Sequence, residues 1–342
     1  MKKMGASNNV KYAYIVARVR AMKSKLIPRE MYPKILNMEI PEITRFIEES
    51  EYKKDVDELA KKYKGTELIE HAMSQNLALI YRKLIEVSQN EANFLITEYL
   101  RFWDIWNIKT ILRGKFSGAS EEEIAEHLVA AGQLRYRDLI ELAKIGTVEG
   151  VIGALSRTPY YPALEGFKGD LAEIENALDK WYYAKRIEAA TQTGNKLFLK
   201  FLRTEIDLKN LKMLFRMKRA NMERDEIMKL VIPGGMEIKE ADLSRLASLP
   251  LGEFVRALEE FSYWDAIADV SSDLSSLINI ETRLDKYGLE YAARISYYYP
   301  LSILPILDYI LSKKIEVDNL RIIVHGKETK LPEEIIKAHL VM

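Results

Sequence analysis

The sequence predicts an all-α fold made of three similar helical repeats, and three observations carry that expectation. A twelve-residue motif occurs three times, as DIWNIKTILRGK from Asp104, DLKNLKMLFRMK from Asp207 and EVDNLRIIVHGK from Glu316. A second segment recurs in the same order: ITRFIEESEYKKDV from Ile43, VIGALSRTPYYPAL from Val151 and FVRALEEFSYWDAI from Phe254. An Ile-Glu pair recurs at Ile69-Glu70, Ile174-Glu175 and Ile280-Glu281. The spacings are 103 and 109, 108 and 103, and 105 and 106 residues, so three anchors share one period. We place the repeats at residues 1–118, 119–222 and 223–342.

The twelve-residue motif keeps its chemistry column by column. An acid opens it (Asp104, Asp207, Glu316), an asparagine follows at the fourth position (Asn107, Asn210, Asn319), and a cation at the sixth (Lys109, Lys212, Arg321). The tenth column reads Arg113, Arg216, His325 and the last Lys115, Lys218, Lys327. Ile105, Ile108 and Leu112 fall at the spacing of one helix face. The cations gather toward the helix end, where the macrodipole favours them. In the second segment Tyr52, Tyr160 and Tyr263 fall in register, as do Ile47, Leu155 and Leu258, then Val56, Leu164 and Ile267.

Along the chain, Gln75–Leu100 carries few breakers and predicts one long helix. Gly114 and Gly118 predict helix stops. Ser120 with Glu123 spells a capping box, and Thr147 an N-cap. Pro233-Gly234-Gly235 predicts a loop. Leu320–His325 is rich in β-branched residues but aligns with helical copies, so it is assigned to helix. Each repeat thus starts with short helices and ends with long ones. Three such units could close into a pseudo-threefold ring or funnel, or stack as an open solenoid.

Composition narrows function by exclusion. Lys+Arg and Asp+Glu both number 51, which leaves no basic footprint for nucleic acid. There is no cysteine, hence no disulfide, thiolate-bound zinc or thiol catalysis. The most apolar window, Tyr297–Leu311, is too short to span a bilayer and holds Pro300, Pro305 and Asp308. Before Glu30 stand Lys2, Lys3, Lys11, Arg18, Arg20, Lys23, Lys25 and Arg29, with no acid. That run reads either as a solvated face or as a contact for an acidic partner or anionic lipid surface.

No catalytic or cofactor motif is present. His71, His127, His325 and His339 make no metal-ligand spacing, and no phosphate-binding glycine loop or nucleophile elbow occurs. Acid pairs such as Asp55/Asp57 or the run Glu121–Glu123 read as solvated or as first-turn acids. A constellation present three times argues against an active site, which needs different groups converging once. The three asparagines read either as satisfying backbone groups where the chain bends or as a polar ring facing a partner. Phe102, Trp103 and Trp106 surround the first copy alone and read as core.

FWDIWNIKTILRGKF with its two echoes, YAYIVARVRAMKSKLI near the N-terminus and GKETKLPEEIIKAHL near the end resemble the C subunit of archaeal A-type ATP synthases, whose vacuolar-type counterpart is the d subunit. The resemblance runs from about Tyr12 to the C-terminus. It departs at His325, where the other copies carry Arg. It implies a funnel-like, monomeric, non-catalytic adaptor without nucleotide or cofactor. Such an adaptor sits peripherally on the cytoplasmic membrane face and couples the central shaft (the D and F subunits) to the membrane rotor ring (the c/K subunits). The loops Asn37–Glu42, Ile145–Gly150 and Ser248–Glu253 occupy equivalent places in the repeats. They make Glu39, Glu42, Glu149 and Glu253 candidate rim contacts, with Arg18, Arg20, Lys23 and Lys25 as candidates in the basic run. A helical scaffold for another soluble partner would share every feature except the resemblance.

Overall fold

Every regular element among the described residues is helical. The computed structural model describes residues 6–342, with side chains from Tyr12 onward. Lys2 and Lys3 of the basic run, and the side chain of Lys11, therefore lie outside the described residues. The chain divides into two compact units. One joins the N-terminal residues up to Glu51 with Asn195–Met342, and the other is Tyr52–Gly194.

In Tyr52–Gly194 the first motif copy lies on the helix Phe102–Ser117. Ile105, Ile108 and Leu112 are buried along one face, as their spacing predicts, against Leu139, Val151, Tyr160, Ile174 and Leu178. The other unit repeats the arrangement on the helix Lys196–Arg219. Leu208, Leu211 and Phe215 pack against Leu243, Phe254, Tyr263, Ile280 and Leu284. The residues that recur in sequence are thus the ones each core is made of. The third copy lies on Leu304–Glu328, in which the β-branched stretch is helical and buried. Leu304–Glu328 packs between Ala6–Lys23 and Ile278–Tyr298.

Local signals account for several helix ends. Ser120 and Glu123 exchange both bonds of a capping box, and Thr147 Oγ1 accepts from the Gly150 N–H. Asp170 caps Leu171–Thr193 and Asn195 caps Lys196–Arg219. Pro233–Gly235 is a loop. Two expectations need correcting. Gln75–Leu100 is not one helix: Gly65–Val87 ends before Ser88, and Asn90–Leu100 starts afresh with Asn90 at φ 50°. Asn93 Nδ2 donates to the freed Ile85 carbonyl, which makes the break cheap. Gly114 does not stop its helix, which runs on to Ser117 and ends at Gly118, φ 77°. Gly114 instead admits Ile124, since a Cβ there would lie 2.4 Å from Ile124 Cγ1; Gly326 admits Ile336 at 2.5 Å in the same way.

Candidate functional site

The motif helices carry their polar residues inward. Asn107, Asn210 and Asn319 are at most 1% exposed. Asn107 Nδ2 donates to the Val129 carbonyl at 2.8 Å, and its Oδ1 accepts the Val129 N–H at 2.9 Å. Asn210 does the same with Ile232 (2.7 and 3.0 Å) and Asn319 with Val341 (2.9 and 3.0 Å). Each partner lies 22 residues on, in a non-helical stretch. Buried backbone outside a helix needs a partner for both of its polar groups. A primary amide supplies a donor and an acceptor at peptide-like spacing, so one asparagine satisfies both.

The opening acids form a second clamp. Asp104 accepts from the N–H groups of Gln133 and Leu134, both at 2.8 Å, and from the Tyr160 hydroxyl at 2.6 Å. Asp207 accepts from Met236 (2.9 Å), Glu237 (2.7 Å) and the Tyr263 hydroxyl (2.7 Å). The offsets match residue for residue. Both loops approach the acid at a glycine, since a Cβ on Gly132 would lie 2.3 Å from Asp104 Oδ1, and one on Gly235 1.9 Å from Asp207 Oδ1. Glu316 differs: it accepts from the Ile27 N–H and from Lys313 Nζ. Its bond to Ile27 ties the third motif helix to the N-terminal segment.

In the first two copies the cations tie the motif helix to the next long helix. Lys109 pairs with Asp179 and Lys212 with Asp285. Arg113 forks onto both oxygens of Glu175, and Arg216 onto both of Glu281. These glutamates are two of the three in the recurring Ile-Glu pair, which gives that pair a task in the second and third occurrences. The arginines are more than half exposed, so each fork adds on the order of 1 kcal/mol at most. Orientation, more than stability, is their contribution. His325 stands exposed, 3.5 Å from Glu328.

Burial drives the titration of the acids. It pushes Asp104 and Asp207 up despite the donors that pull each down. In Asp207 these three donors and the more distant Ile238 N–H (3.5 Å) converge on Oδ2, while buried Oδ1 accepts no hydrogen bond. An asparagine there keeps the accepting oxygen and puts its NH2 where Oδ1 stood. A carboxylate pKa raised by folding contributes stability that is present below the unfolded value and lost as pH rises through the folded value. Wild type is therefore expected to lose stability relative to Asp207→Asn as pH rises from about 4, the ordinary carboxylate value, toward neutrality. Urea unfolding of both proteins across that range checks this, and a gap independent of pH would contradict it. Asp104 uses both oxygens, so Asp104→Asn should cost a bond at every pH.

The remaining candidates lie elsewhere. Glu39, Glu42, Glu149 and Glu253 are exposed and each stands at a helix start. Glu42 Oε2 accepts the Glu39 N–H at 2.8 Å, and Glu149 and Glu253 lie in first turns, where the dipole favours acids. Within the basic run, Lys23 pairs with Asp308 and Lys25 with Glu51, while Arg18 donates to the Tyr14 hydroxyl. Arg20 is exposed. Trp103 is buried, but Trp106 is 43% exposed and so is not core. Asp55 is not solvated; it is buried and accepts from Asn76 Nδ2 at 2.8 Å.

Sequence reasoning missed the clamped residues Val129, Ile232 and Val341, and the glycines Gly132 and Gly235. The glycines did leave a signal, since each follows its acid by 28 residues. Apart from Asp207 Oδ1, the buried oxygens of Asp104 and Asp207 meet backbone N–H groups and tyrosine hydroxyls at bonding distance. Among the described residues no group of three His, Asp or Glu is placed to hold a metal ion. None of their helices is long and apolar enough to cross a membrane.

The chain is similar to known proteins over nearly its whole length. A family model described as ATP synthase (C/AC39) subunit matches residues 15–339. The C subunit of the A-type ATP synthase of Methanococcoides burtonii is 52% identical, covering 100% of this chain and 97% of its own length. Its counterparts of the same name from Archaeoglobus fulgidus (42%, covering 98% and 97%) and Haloferax volcanii (37%, covering 100% of both) are similar throughout. Matched over residues 15–339 and 52% identical to a relative along its full length, the chain belongs to the ATP synthase (C/AC39) subunit family.

Proposed function

We propose that the chain is a non-catalytic adaptor in the central stalk of a rotary ATP synthase. It receives the D and F shaft subunits, seats on the c/K rotor ring at the cytoplasmic face, and passes rotation between them as a monomer within the complex. The observation that carries this reading is family membership across nearly the whole chain. Three repeats, with boundaries near residues 118 and 222 and a funnel-like arrangement, supply its frame. The buried clamps support it physically. A part that transmits torque must not yield where one helix hands over to the next, and satisfied buried polar bonds fix such junctions. The exposed acids Glu39, Glu42, Glu149 and Glu253 offer equivalent loop contacts to a partner.

The test is affinity purification of the tagged chain from mildly solubilised membranes, with mass spectrometry of the eluate. Rotor-ring and D/F subunits should co-elute. An eluate lacking both, from cells that contain the complex, would favour a helical scaffold serving another soluble partner.

A further inference from the structure

The adaptor reading does not say which end of the chain faces the membrane. One end of the unit containing Asn195–Met342 has an unusual surface. The last turn of Ile278–Tyr298 and its connection to Leu304–Glu328 present Tyr297, Tyr298, Tyr299 and Leu301 at 82, 67, 49 and 42% exposure. Lys196–Arg219 runs antiparallel to Ile278–Tyr298, because Arg216 pairs with Glu281 and Lys212 with Asp285, and a Cβ on Gly288 would touch Leu208. Continued, that register brings Asn195 level with the tyrosine connection. Asn195 Nδ2 donates to the Tyr12 hydroxyl at 3.4 Å, so the early part of Ala6–Lys23 reaches the same end. There Tyr14 is 60% exposed.

The charge of this end is one-sided. Lys196, Lys200 and Arg294 are exposed, and Arg18 reaches out to the Tyr14 hydroxyl. Residues 1–29, 195–204 and 291–307 contain no Asp or Glu, in a chain whose charges balance overall at 51 to 51. Tyrosine pairs an apolar ring with a wet hydroxyl, which suits the headgroup level of a bilayer, and nearby Lys and Arg add attraction to anionic lipid.

We propose that this end is an anionic-lipid-binding surface. Tyr297, Tyr298 and Leu301 enter the headgroup layer, and Lys196, Lys200 and Arg294 meet lipid phosphates. A fluid surface fits better than a protein one because the aromatics stand exposed at a helix end and the short connection after it, whereas protein hot spots sit in desolvated pockets. The proposal rests on the adaptor reading for its setting, since that reading brings the chain to a membrane.

The purified full-length chain is floated with vesicles of phosphatidylcholine alone and with vesicles containing about 30% phosphatidylglycerol, whose surface charge recruits basic segments. It should float with the anionic vesicles and be released as salt rises. Lys196→Glu/Lys200→Glu/Arg294→Glu should weaken binding about a hundredfold or more, at about one kcal/mol per lost cation. Tyr297→Ser/Tyr298→Ser/Leu301→Ser should weaken it about tenfold. Tyr136→Ser, exposed in the other unit, should leave it unchanged. All these sites are exposed, and melting curves confirm that each variant folds. Wild type that stays unbound, or variants that float like wild type, overturn the proposal. If wild type fails to float yet the charge-reversed variant drops out of the purified complex, the surface meets an acidic protein and the lipid assignment is wrong. If the chain floats but no rotor subunits co-purify, the adaptor reading fails and the lipid surface stands.

Discussion

Asn210→Ala is expected to destabilise the protein by about 3–5 kcal/mol, among the largest effects of any exchange that removes so few atoms. The asparagine is 1% exposed and bonds both backbone groups of Ile232. Alanine orphans the Ile232 N–H and carbonyl together. An orphaned buried group costs about 1–3 kcal/mol, and here there are two, with a small cavity besides. Nothing local takes over, because Ile232 lies outside any helix. Asn210→Asp separates the two bonds: its oxygen still accepts the N–H, but a carboxylate then faces the Ile232 carbonyl. That variant should be nearly as damaged at neutral pH and partly restored in acid, where the protonated form can donate. Urea unfolding followed by circular dichroism reads both effects. A loss below about 1 kcal/mol for alanine would mean that water or a shifted backbone replaces the clamp. Asn107→Ala should behave alike, since Asn107 bonds both backbone groups of Val129.

The same residues show how far a sequence alone carries. Helical periodicity identified the buried faces because a helix face is a local property: Ile105, Ile108 and Leu112 sit within one stretch. The repeat identified Asn107, Asn210 and Asn319 because a residue with a fixed task keeps its column. What each column binds was not legible, since the partner stands 22 residues away across a turn whose path depends on packing. The break at Ser88 was missed because Asn90 at positive φ is a choice of local backbone that few residues announce as glycine does. Gly114 was misread for the converse reason. A glycine inside a helix can mark a close approach as well as a stop, and only the position of Ile124 decides which.

The glycines beside the acids give the second large effect. Gly235→Ala is expected to cost about 2–4 kcal/mol, although alanine is the smaller perturbation by composition. A Cβ there would lie 1.9 Å from Asp207 Oδ1 and 2.7 Å from the Ile238 carbonyl oxygen. Relief requires moving either the loop or the carboxylate. Either movement breaks the bonds that Met236, Glu237 and the Tyr263 hydroxyl make to Oδ2. Tyr263 belongs to the second recurring segment, so the damage should spread from the loop to the core around Phe254 and Leu258. The double variant separates overlap from general strain. With Asp207→Ala in place the methyl group has room, and the added cost of Gly235→Ala should fall by at least about 1 kcal/mol, the non-additivity expected of residues in contact. Strictly additive losses would show that the Ile238 carbonyl, and not the carboxylate, is what the glycine makes room for.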